Sequence, residues 1–476
     1  MSKLYVFGIG GTGARVLKSL TMLLAAGVEC GVDSIVPIII DRDVSNKDLS
    51  RTKLLIEDYT KVNKIAQPDK GFFNTKIELL NNELFLQLKD NTQKFDAFIG
   101  KSSMNKENQA LMDMLFSKET LELDMSAGFQ GNPNIGSVVL NQFHDSDVFK
   151  SFANQFKDGD KIFIISSIFG GTGASGFPLL RKTLHSENIK GADGQSLSNW
   201  GLVNKAPIGA ISVLPYFDVA SATDDSLVDS DTFIDKSRAA LSYYKTEDKK
   251  LDTLYYIADT KTSTYEHNKG GDAQKNNAHF VELAAALSIL DFVDPKKQTD
   301  NIHRDNNNDI VQTTYKEFGI KATTGAFNFN GLADDTKSLI INPLSRFLLF
   351  RNYMQYIFDK QVKYQPYSYK QFRNDFRKTN SIQKLETVQS EFYEWLLEME
   401  TQNRCFTPYE LASKKAFDFI KGDLNINTPK DFRYKKWAIV DNELNRQISK
   451  TKSEAKDARF IELFNLATES LINFKN

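Results

Sequence analysis

Two glycine-rich turns, each directly after a hydrophobic β-type segment, most constrain what this chain can fold into. The first lies in KLYVFGIGGTGARVLKSL, from Lys3 to Leu20, and the second in IISSIFGGTGASGFPLL, from Ile164 to Leu180. A strand that runs into a helix presents backbone N–H groups and the positive end of the helix dipole. Glycine leaves that end uncovered and permits positive φ, so each turn is suited to wrap an anion.

Short hydrophobic segments alternate with helix-length segments as far as about residue 290. This alternation predicts an α/β fold with a mainly parallel, Rossmann-like sheet covered by helices on both faces. The predicted strands, rich in β-branched or aromatic residues, are 3–7, 35–40, 120–123, 161–167, 210–214 and 254–258. In open sheets of this class, ligands lie beyond the carboxyl ends of the strands, where both glycine turns are placed.

The sequence pattern from residue 276 onward predicts a different organisation. Residues 276–292 are apolar nearly all the way round, which is typical of a helix buried between layers; the resemblance described below implies that it is the central helix of the fold. The polar stretch 294–309 predicts a loop or hinge, and strand-like pieces follow at 322–331 and 338–342. From Leu344 the pattern predicts a mostly helical C-terminal region, in segments 344–358, 388–400, 409–422 and 457–474. The predicted parts are a sheet domain at 1–275, the central helix at 276–293, a connecting region at 294–343 and a helical domain at 344–476.

The composition limits which binding partners and which cellular compartment are expected. The net charge is -1 and the pI is near 6.6, so nothing global argues for binding to nucleic acid. Two cysteines and five histidines leave little material for disulfides or a zinc site. No apolar run reaches the roughly 18 residues of a spanning helix. These features predict a cytoplasmic protein without an integral membrane segment, and they leave peripheral contact with a membrane open.

The glycine turns alone fit more than one class of nucleotide-binding protein. Gly8-x-Gly10-x-x-Gly13 matches the dinucleotide fingerprint, and Asp41 follows the next strand, although later than the usual spacing of about 20 residues. An NAD-binding oxidoreductase is therefore one alternative. The stretch IIIDRDVS resembles an aspartyl-phosphatase motif but has Ser45 after Val44. A P-loop is excluded, because neither turn is followed by Gly-Lys-Ser/Thr.

A third loop lies between the two turns. It reads SAGFQGNPNIGS, from Ser126 to Ser137, and follows the predicted strand at 120–123. The order of a Gly-rich first loop, an Ala-Gly-x-x-Gly-Asn-Pro-x-Ile-Gly loop and a Gly-Gly-Thr-Gly signature resembles the tubulin/FtsZ superfamily. The resemblance covers residues 1–293 and is closest to divergent prokaryotic members outside the cell-division group. It implies a GTP/GDP-binding switch or self-assembling cytoskeletal-type protein, with Mg²⁺ near the phosphates.

The resemblance also implies roles for single residues. The first loop would hold the α- and β-phosphates, the second would close over the γ-phosphate, and the signature loop would bind the β-phosphate. Asp41 or Asp43 would approach the nucleotide, Asp218 the ribose, and Asn276 or Asn277 the guanine edge. The implied loop residues are Gly10, Gly11, Thr12 and Gly13; Ala127, Gly128, Gly131 and Asn132; and Gly170, Gly171, Thr172 and Gly173.

Structural explanations exist for the same residues. Glycines after strands are often only tight turns, and Asp41, Asp43, Asn276 and Asn277 are all of a type that caps helices. His279, on an apolar helix without Cys or His neighbours, is expected to be a packed core histidine.

The segment after the central helix departs from the family pattern. Polymerising members carry Gly-x-x-Asn-x-Asp-x-x-Asp/Glu, whose acid enters the next subunit and orients the attacking water. Here the acids are Asp294, Asp300, Asp305 and Asp309, without that spacing. The resemblance therefore implies slow GTP hydrolysis at most, dependent on self-association, with these acids acting in trans. Expected partners are further copies of the chain, head to tail, or operon-type proteins in a membrane-remodelling or defence system. A nucleotide-binding module without hydrolysis remains an alternative.

Overall fold

The computed structural model describes residues 2–66, 70–88, 93–190, 194–219, 232–246, 250–260, 263–265, 271, 274–318, 325–368, 371–372, 374–417, 419–421 and 437–474. The strands of this part are β1 Lys3–Ile9, β2 Ser34–Ile40, β3 Lys76–Ile77, β4 Lys161–Ser167, β5 Ile208–Val213, β6 Phe217–Val219, β7 Thr253–Ile257, β8 Ser263–Tyr265 and β9 Thr314–Glu317.

Helices make up most of the remaining described structure. In the first part of the chain they are α1 Gly10–Ala25, α2 Lys47–Ala66, α3 Phe95–Phe98, α4 Lys106–Leu115, α5 Lys118–Leu121, α6 Pro133–Leu140, α7 Asp147–Gln155, α8 Gly171–Leu184, α9 Trp200–Asn204 and α10 Phe233–Thr246. They continue with α11 Phe280–Val293, α12 Gln298–Asn301, α13 Asp334–Tyr356, α14 Phe358–Gln361, α15 Asn380–Glu400, α16 Trp437–Gln447 and α17 Lys456–Leu471.

Seven strands form one sheet in the order β3-β2-β1-β4-β5-β7-β9, and every pair in it is parallel. The α/β class and the parallel Rossmann-like sheet expected from the sequence are therefore confirmed. The chain moves outward on one side from β1 to β3 and then returns to place β4 on the other side of β1. This reversal is the topological switch point, where doubly wound folds bind their ligands.

The central strands are buried on both faces because α-helices cover both faces of the sheet. Leu4 and Val6 of β1 belong to the core on the face covered by α1 and α11. Tyr5 and Phe7, one residue out of phase, belong to the core on the face of α6, α7 and α8. Such two-sided burial explains why the parallel strands read as continuous apolar segments.

The sequence correctly located β1, β2, β4, β5 and β7, but the strand predicted at 120–123 was wrong. That stretch falls at the short helix α5, where Ser117 accepts a hydrogen bond from the backbone N–H of Thr120. Exposed charged residues such as Lys118 and Glu119 favour this capped helical turn over a buried strand.

Helix α11 is the long apolar helix expected from the sequence, and all of its residues are buried. It begins at Phe280, so Asn276 and Asn277 precede it. The N-cap is His279, whose side chain accepts a hydrogen bond from the N–H of Val281, while Glu282 accepts from the N–H of His279. His279 is therefore buried, as expected, but it also has a capping function.

Two further local predictions in the second half were wrong. Residues 338–342, expected to be strand-like, lie inside α13, whose first turn carries Asp334 and Asp335 in a position that favours a helix N-terminus. Residues 409–421, expected to be helical, instead bring Tyr409 against Ile420 in an antiparallel bridge. Here burial of Tyr409 and its neighbours in the core outweighs helical periodicity. Residues 322–324 of the strand-like segment predicted at 322–331 lie outside the described residues, and so do residues 418 and 422 of the helical segment predicted at 409–422.

The C-terminal helices contribute to the same hydrophobic core as α1 and α2. Trp395 of α15 donates its indole N–H to the Ser19 hydroxyl of α1 at 3.1 Å, and Phe347 of α13 packs edge-on against Phe72. The predicted boundaries between domains stay predictions. None of the described helices is long and apolar enough to cross a membrane.

Candidate functional site

Three loops meet at the switch point. A Cβ atom built on Gly10, after β1, would lie 3.5 Å from the Cβ of Thr172, after β4. One on Gly171 would lie 3.0 Å from the backbone nitrogen of Asn132 and 3.2 Å from that of Gly131. The three glycine loops singled out in the sequence therefore lie against one another at the carboxyl edge of the sheet.

The helices that start at two of these loops leave their first N–H groups without side-chain caps. Within the described part of the chain, Ile9 before α1 and Gly170 before α8 make no capping side-chain hydrogen bond. Nearby α6 and α7, in contrast, are capped by Asn132 and Ser146. Uncapped N–H groups and two helix dipoles that start at one place suit an anion.

The glycines of the first loop serve two different purposes. Gly10 has φ of +74°, a conformation that side chains rarely adopt. A Cβ on Gly13 would lie 2.4 Å from the carbonyl carbon of Gly8, so Gly13 is needed for close packing of α1 on β1. Apart from its chain neighbours and the nearby backbone of α1, a Cβ on Gly11 would have only Arg15 Nη1 within 4 Å among the described atoms, at 3.5 Å. Gly11 therefore faces the open side of the loop.

The second loop turns sharply at Gly128 and Gly131, with φ of +82° and +74°. Asn132 uses its side-chain oxygen to cap α6, accepting from the N–H groups of Asn134 at 3.1 Å and Ile135 at 3.4 Å. Asn132, expected as a ligand of the γ-phosphate, is therefore also the N-cap of α6. Ala127 lies in the 3-10 turn just before Gly128.

Asp41 and Asp43 lie beside the second loop. A Cβ on Gly128 would come 3.8 Å from the Cβ of Asp43. Asp41 is buried, and burial raises its pKa to about 7. Asp43 accepts hydrogen bonds from the Ser45 hydroxyl and from the N–H of Gly271, both at 2.8 Å. These bonds tie the segment after β2 to the segment that precedes α11.

The signature loop follows β4. A Cβ on Gly173 would lie 2.2 Å from the carbonyl oxygen of Ser167, so this glycine allows α8 to pack closely on its own strand. Gly171 lies against the second loop, and Thr172 lies against the first. The signature loop is therefore in contact with both of the others.

Two cations at the site were missed in the sequence. Arg15, one turn into α1, is buried and donates to Thr12 Oγ1 at 3.3 Å, Glu282 Oε1 at 2.5 Å and Asp48 Oδ2 at 3.1 Å. Burial alone would lower the pKa of Arg15, but Tyr216, Glu282 and Asp48 hold it above its ordinary value. The available signal was a pair of cations, Arg15 and Lys18, one turn apart on a mostly apolar helix.

The second missed cation is Lys236 on α10. Its ammonium group lies 3.4 Å from the carbonyl oxygen of Gly131 in the second loop. No motif marks this lysine, because the contact arises only when α10 folds back over the loop.

The other predicted ligand residues lie around the same edge. Asp218 is in β6, and its neighbour Phe217 packs edge-on against Phe169 of the signature loop. The N–H of Asn276 donates to Asp48 at 3.1 Å, whereas Asn277 is exposed and its carbonyl accepts from Tyr265 at 2.9 Å. The cavity beside Asn276 measures about 10 Å³, about the space of one water molecule, so a purine base does not fit it as it stands.

The four predicted catalytic acids lie at the opposite edge of the sheet. Lys161, the first residue of β4, contacts Gln298 Oε1 at 2.5 Å. Arg304 forms two 2.7 Å hydrogen bonds to Asp252, which immediately precedes β7. The segment with Asp294, Asp300, Asp305 and Asp309 is therefore held at the amino edge, away from the glycine loops of its own chain.

Comparisons with known proteins give a limited answer. No protein-family model matches the chain, and no curated protein matches it. It is similar in structure to CetZ2 from Haloferax volcanii in a GTPγS-bound protofilament, with 13% identity and a TM-score of 0.29 over 63% of this chain and 62% of that chain. It is also similar in structure to CetZ from Methanosaeta thermophila, with 14% identity and a TM-score of 0.26 over 54% of this chain and 46% of that chain.

A third similar structure is a GTPγS-form protofilament of TubZ from Bacillus thuringiensis serovar israelensis. It is 12% identical, with a TM-score of 0.29, and the match covers 82% of this chain and 81% of that chain. The chain spans less than two thirds of the length of both CetZ proteins. At these identities and TM-scores the likeness does not decide family or function.

Proposed function

We propose that this chain binds GTP and GDP through the three loops at the carboxyl edge of its sheet. The observation that carries the proposal is the contact of Gly10 with Thr172 and of Gly171 with Gly131, which joins three separate glycine loops into one site. The starts of α1 and α8, whose described N-cap residues provide no side-chain cap, would bind the phosphates through their N–H groups.

The geometry supports a division of roles among the loops. Gly11 lies on the open side of the first loop and would receive the α- and β-phosphates, with the Thr12 hydroxyl as an added donor. Gly170 and Gly171 would contribute N–H groups from the signature loop. Gly128 and Gly131 would close over a γ-phosphate, with the ammonium group of Lys236 beside them.

A magnesium ion fits next to Asp41 and Asp43. Mg²⁺ usually binds through one or two carboxylates together with phosphate oxygens. Both carboxyl groups are buried beside the second loop, and burial, together with the charge of Asp43, raises the pKa of Asp41 although the N–H of Asp43 donates to it. Mg²⁺ would supply positive charge beside these carboxyl groups and neutralise part of the phosphate charge.

The third loop separates this proposal from the NAD-binding alternative. A dinucleotide site needs one glycine turn and an acid after the second strand to bind the ribose. Here Asp41, the acid after β2, is buried and accepts from the N–H of Asp43, and the second loop lies next to Asp43. This arrangement favours a triphosphate held from two sides.

We further propose head-to-tail self-association. The acids of residues 294–309 lie at the amino edge and the loops at the carboxyl edge, so an acid reaches phosphates only in another copy. A contact between opposite edges is heterologous and extends into filaments unless its rotation closes a ring. Hydrolysis would therefore be slow and would depend on protein concentration.

Titration calorimetry with GTP, GDP, ATP and NAD, each with and without Mg²⁺, tests the proposal. GTP and GDP should bind, and Mg²⁺ should strengthen the binding of GTP more than the binding of GDP. Preference for NAD would instead establish the oxidoreductase alternative. Light scattering with GTPγS then tests assembly, and a protein that binds GTP but stays monomeric at high concentration would be a binding module only.

A further inference from the structure

Six charged side chains from four helices form a buried charge cluster beneath the first glycine loop. All are mostly shielded from solvent, and the cluster contains three cations and three carboxylates. Its members are Arg15 and Lys18 of α1, Asp48 and Arg51 of α2, Glu282 of α11 and Glu398 of α15. Neither α11 nor α15 contributes a residue to the glycine loops.

At its upper end the cluster contacts the first loop through Arg15. The guanidinium group donates to Thr12 Oγ1 at 3.3 Å and to the Tyr216 hydroxyl at 3.0 Å. Because Thr12 accepts from Arg15, its hydroxyl hydrogen is available for another acceptor, which in the proposed complex would be a ligand oxygen. Arg15 therefore sets the direction in which Thr12 donates.

At its lower end the cluster contacts the C-terminal region through Glu398. One carboxylate oxygen accepts from Lys18 at 3.3 Å and from the N–H of Ala278 at 3.0 Å. The other accepts from Arg51 at 2.5 Å. Burial alone would raise the pKa of Glu398, but Lys18 and Arg51 hold it below its ordinary value.

The two ends are joined by the backbone of the segment that leads into α11. The N–H of Asn276 donates to Asp48, that of Ala278 to Glu398 and that of His279 to Glu282. Three N–H groups within four residues are thus held by carboxylates from α2, α15 and α11. Because removal of one member leaves a buried charge uncompensated, the cluster keeps or loses its arrangement as a unit.

We propose that Glu398, through Arg15, is a positioning residue for the first glycine loop, so that α15 of the C-terminal region controls how tightly the loop holds its ligand. This inference rests on the proposed nucleotide site. It implies a reciprocal effect, because a ligand that favours one arrangement of the loop must also favour the matching arrangement of α15.

A double-mutant cycle tests the inference with Glu398→Gln, Thr12→Val and the two combined, by titration with GTP. Each single variant should weaken GTP binding by about tenfold, which lies within the usual range of coupling between sites. The combined variant should lose little more than either single one, because both act on the same donor. Additive losses, or an unchanged Kd in Glu398→Gln, would overturn the proposal.

Glu391→Gln is the matched control. Glu391 lies two turns earlier on the same face of α15; its carboxylate is 3.8 Å from Arg51, compared with 2.5 Å for Glu398, and its side chain is 36% exposed. It should leave the Kd for GTP unchanged. A loss equal to that of Glu398→Gln would mean that any change on this face weakens binding, which would also overturn the proposal.

Hydrogen exchange of the wild-type chain gives an independent readout if Glu398→Gln fails to fold. Binding of GTP should slow exchange at the N–H groups of Ala278 and His279 and in α15 around Glu398. Exchange that changes only in the glycine loops would overturn the coupling and leave the nucleotide site intact. Absence of GTP binding to the wild type would instead overturn the proposed function, and the positioning role with it.

Discussion

Gly10 and Thr172, far apart in sequence, face each other closely enough that a Cβ on Gly10 would lie 3.5 Å from the Cβ of Thr172. The contact exists because β1 and β4 are neighbours in the sheet, with Gly8 paired to Ile165. Both strands therefore deliver their glycine turns to the same point. A phosphate bound at either turn would contact the other.

A side chain added on the open side of the first loop should weaken ligand binding without destabilising the fold. Gly11→Val adds atoms where only Arg15 approaches, and valine is at least as compatible with a helix as glycine. We expect the melting temperature to stay near that of the wild type and GTP binding to weaken by more than about tenfold, or about 1.4 kcal/mol. Calorimetry and a thermal melt measure the two effects.

Gly201→Val is the control for this substitution. Gly201 lies in α9, and none of the described atoms would come within 4 Å of its added Cβ. GTP affinity should not change in this variant. Wild-type affinity in Gly11→Val would remove the open side of the first loop from the binding site.

The ammonium group of Lys236 should favour the triphosphate over the diphosphate. It lies 3.4 Å from Gly131 in the loop proposed to close over the γ-phosphate. Lys236→Met should weaken GTP binding by about tenfold, as expected for loss of a charge-assisted hydrogen bond, and should change GDP binding little. Lys245→Met, an exposed site on the same helix, is the control. Equal losses for GTP and GDP would place Lys236 away from the γ-phosphate.

Much of the sheet was predictable because buried parallel strands leave a local signature. Segments such as Ile38-Ile39-Ile40 have no polar face, and helices on both sides of the sheet require this. The three loops were predictable because their glycines allow conformations and approaches that other residues resist, as at Gly10 and Gly13.

The rest of the site depends on contacts between distant segments. Arg15 meets Glu282 across 267 residues, and Lys236 meets Gly131 across 105. No local pattern encodes these pairs. Ile340 and Ile341 were likewise assigned to a strand for their β-branched side chains, although burial of α13 in the core decides their conformation.

The buried carboxyl group of Asp41 should make stability depend on pH. Its pKa is about 7 in the folded chain, against an ordinary value of 3.8, so the folded protein retains a proton that the unfolded chain releases. Its contribution is full below about pH 4 and is lost as the pH rises through 7, a change of about 4 kcal/mol at most. Asp41→Asn should remove this part of the pH dependence. Urea unfolding at pH 5 and pH 8 measures the change in the free energy of unfolding. An equal change in the wild type and in Asp41→Asn would mean that Asp41 is not the group responsible.

His279 should have the opposite dependence on pH. Burial lowers its pKa from 6.5 to about 4, and its Nδ1 must stay unprotonated to accept from the N–H of Val281. This contribution is present above about pH 6.5 and is lost as the pH falls towards 4, by about 3 kcal/mol. His279→Asn keeps a capping oxygen without a titrating group and should flatten the profile between pH 7 and 5. Thermal melts across this range measure it, and an unchanged profile would mean that another group titrates.

The acids at the amino edge should determine how GTP turnover depends on concentration. Asp294 and Asp305 accept hydrogen bonds from nearby N–H groups, so substitution by asparagine removes the charge and keeps the turns. Turnover by the wild type should be barely measurable in dilute protein and should rise more than linearly with concentration, because a water-orienting group comes from another copy. Asn at Asp294, Asp300, Asp305 and Asp309 together should abolish that rise and leave GTP binding unchanged.

A control variant that loses four negative charges elsewhere separates the role of these acids from a general effect of net charge on turnover. Glu394, Glu410, Glu454 and Glu469 are exposed in the C-terminal region, and their replacement by glutamine should leave the concentration dependence as in the wild type. The reason is geometric, since these four glutamates are not part of the 294–309 segment, which lies at the edge opposite the loops. Turnover that is fast and strictly proportional to protein at dilution would mean that one chain contains its own water-orienting group, and head-to-tail catalysis would then be wrong.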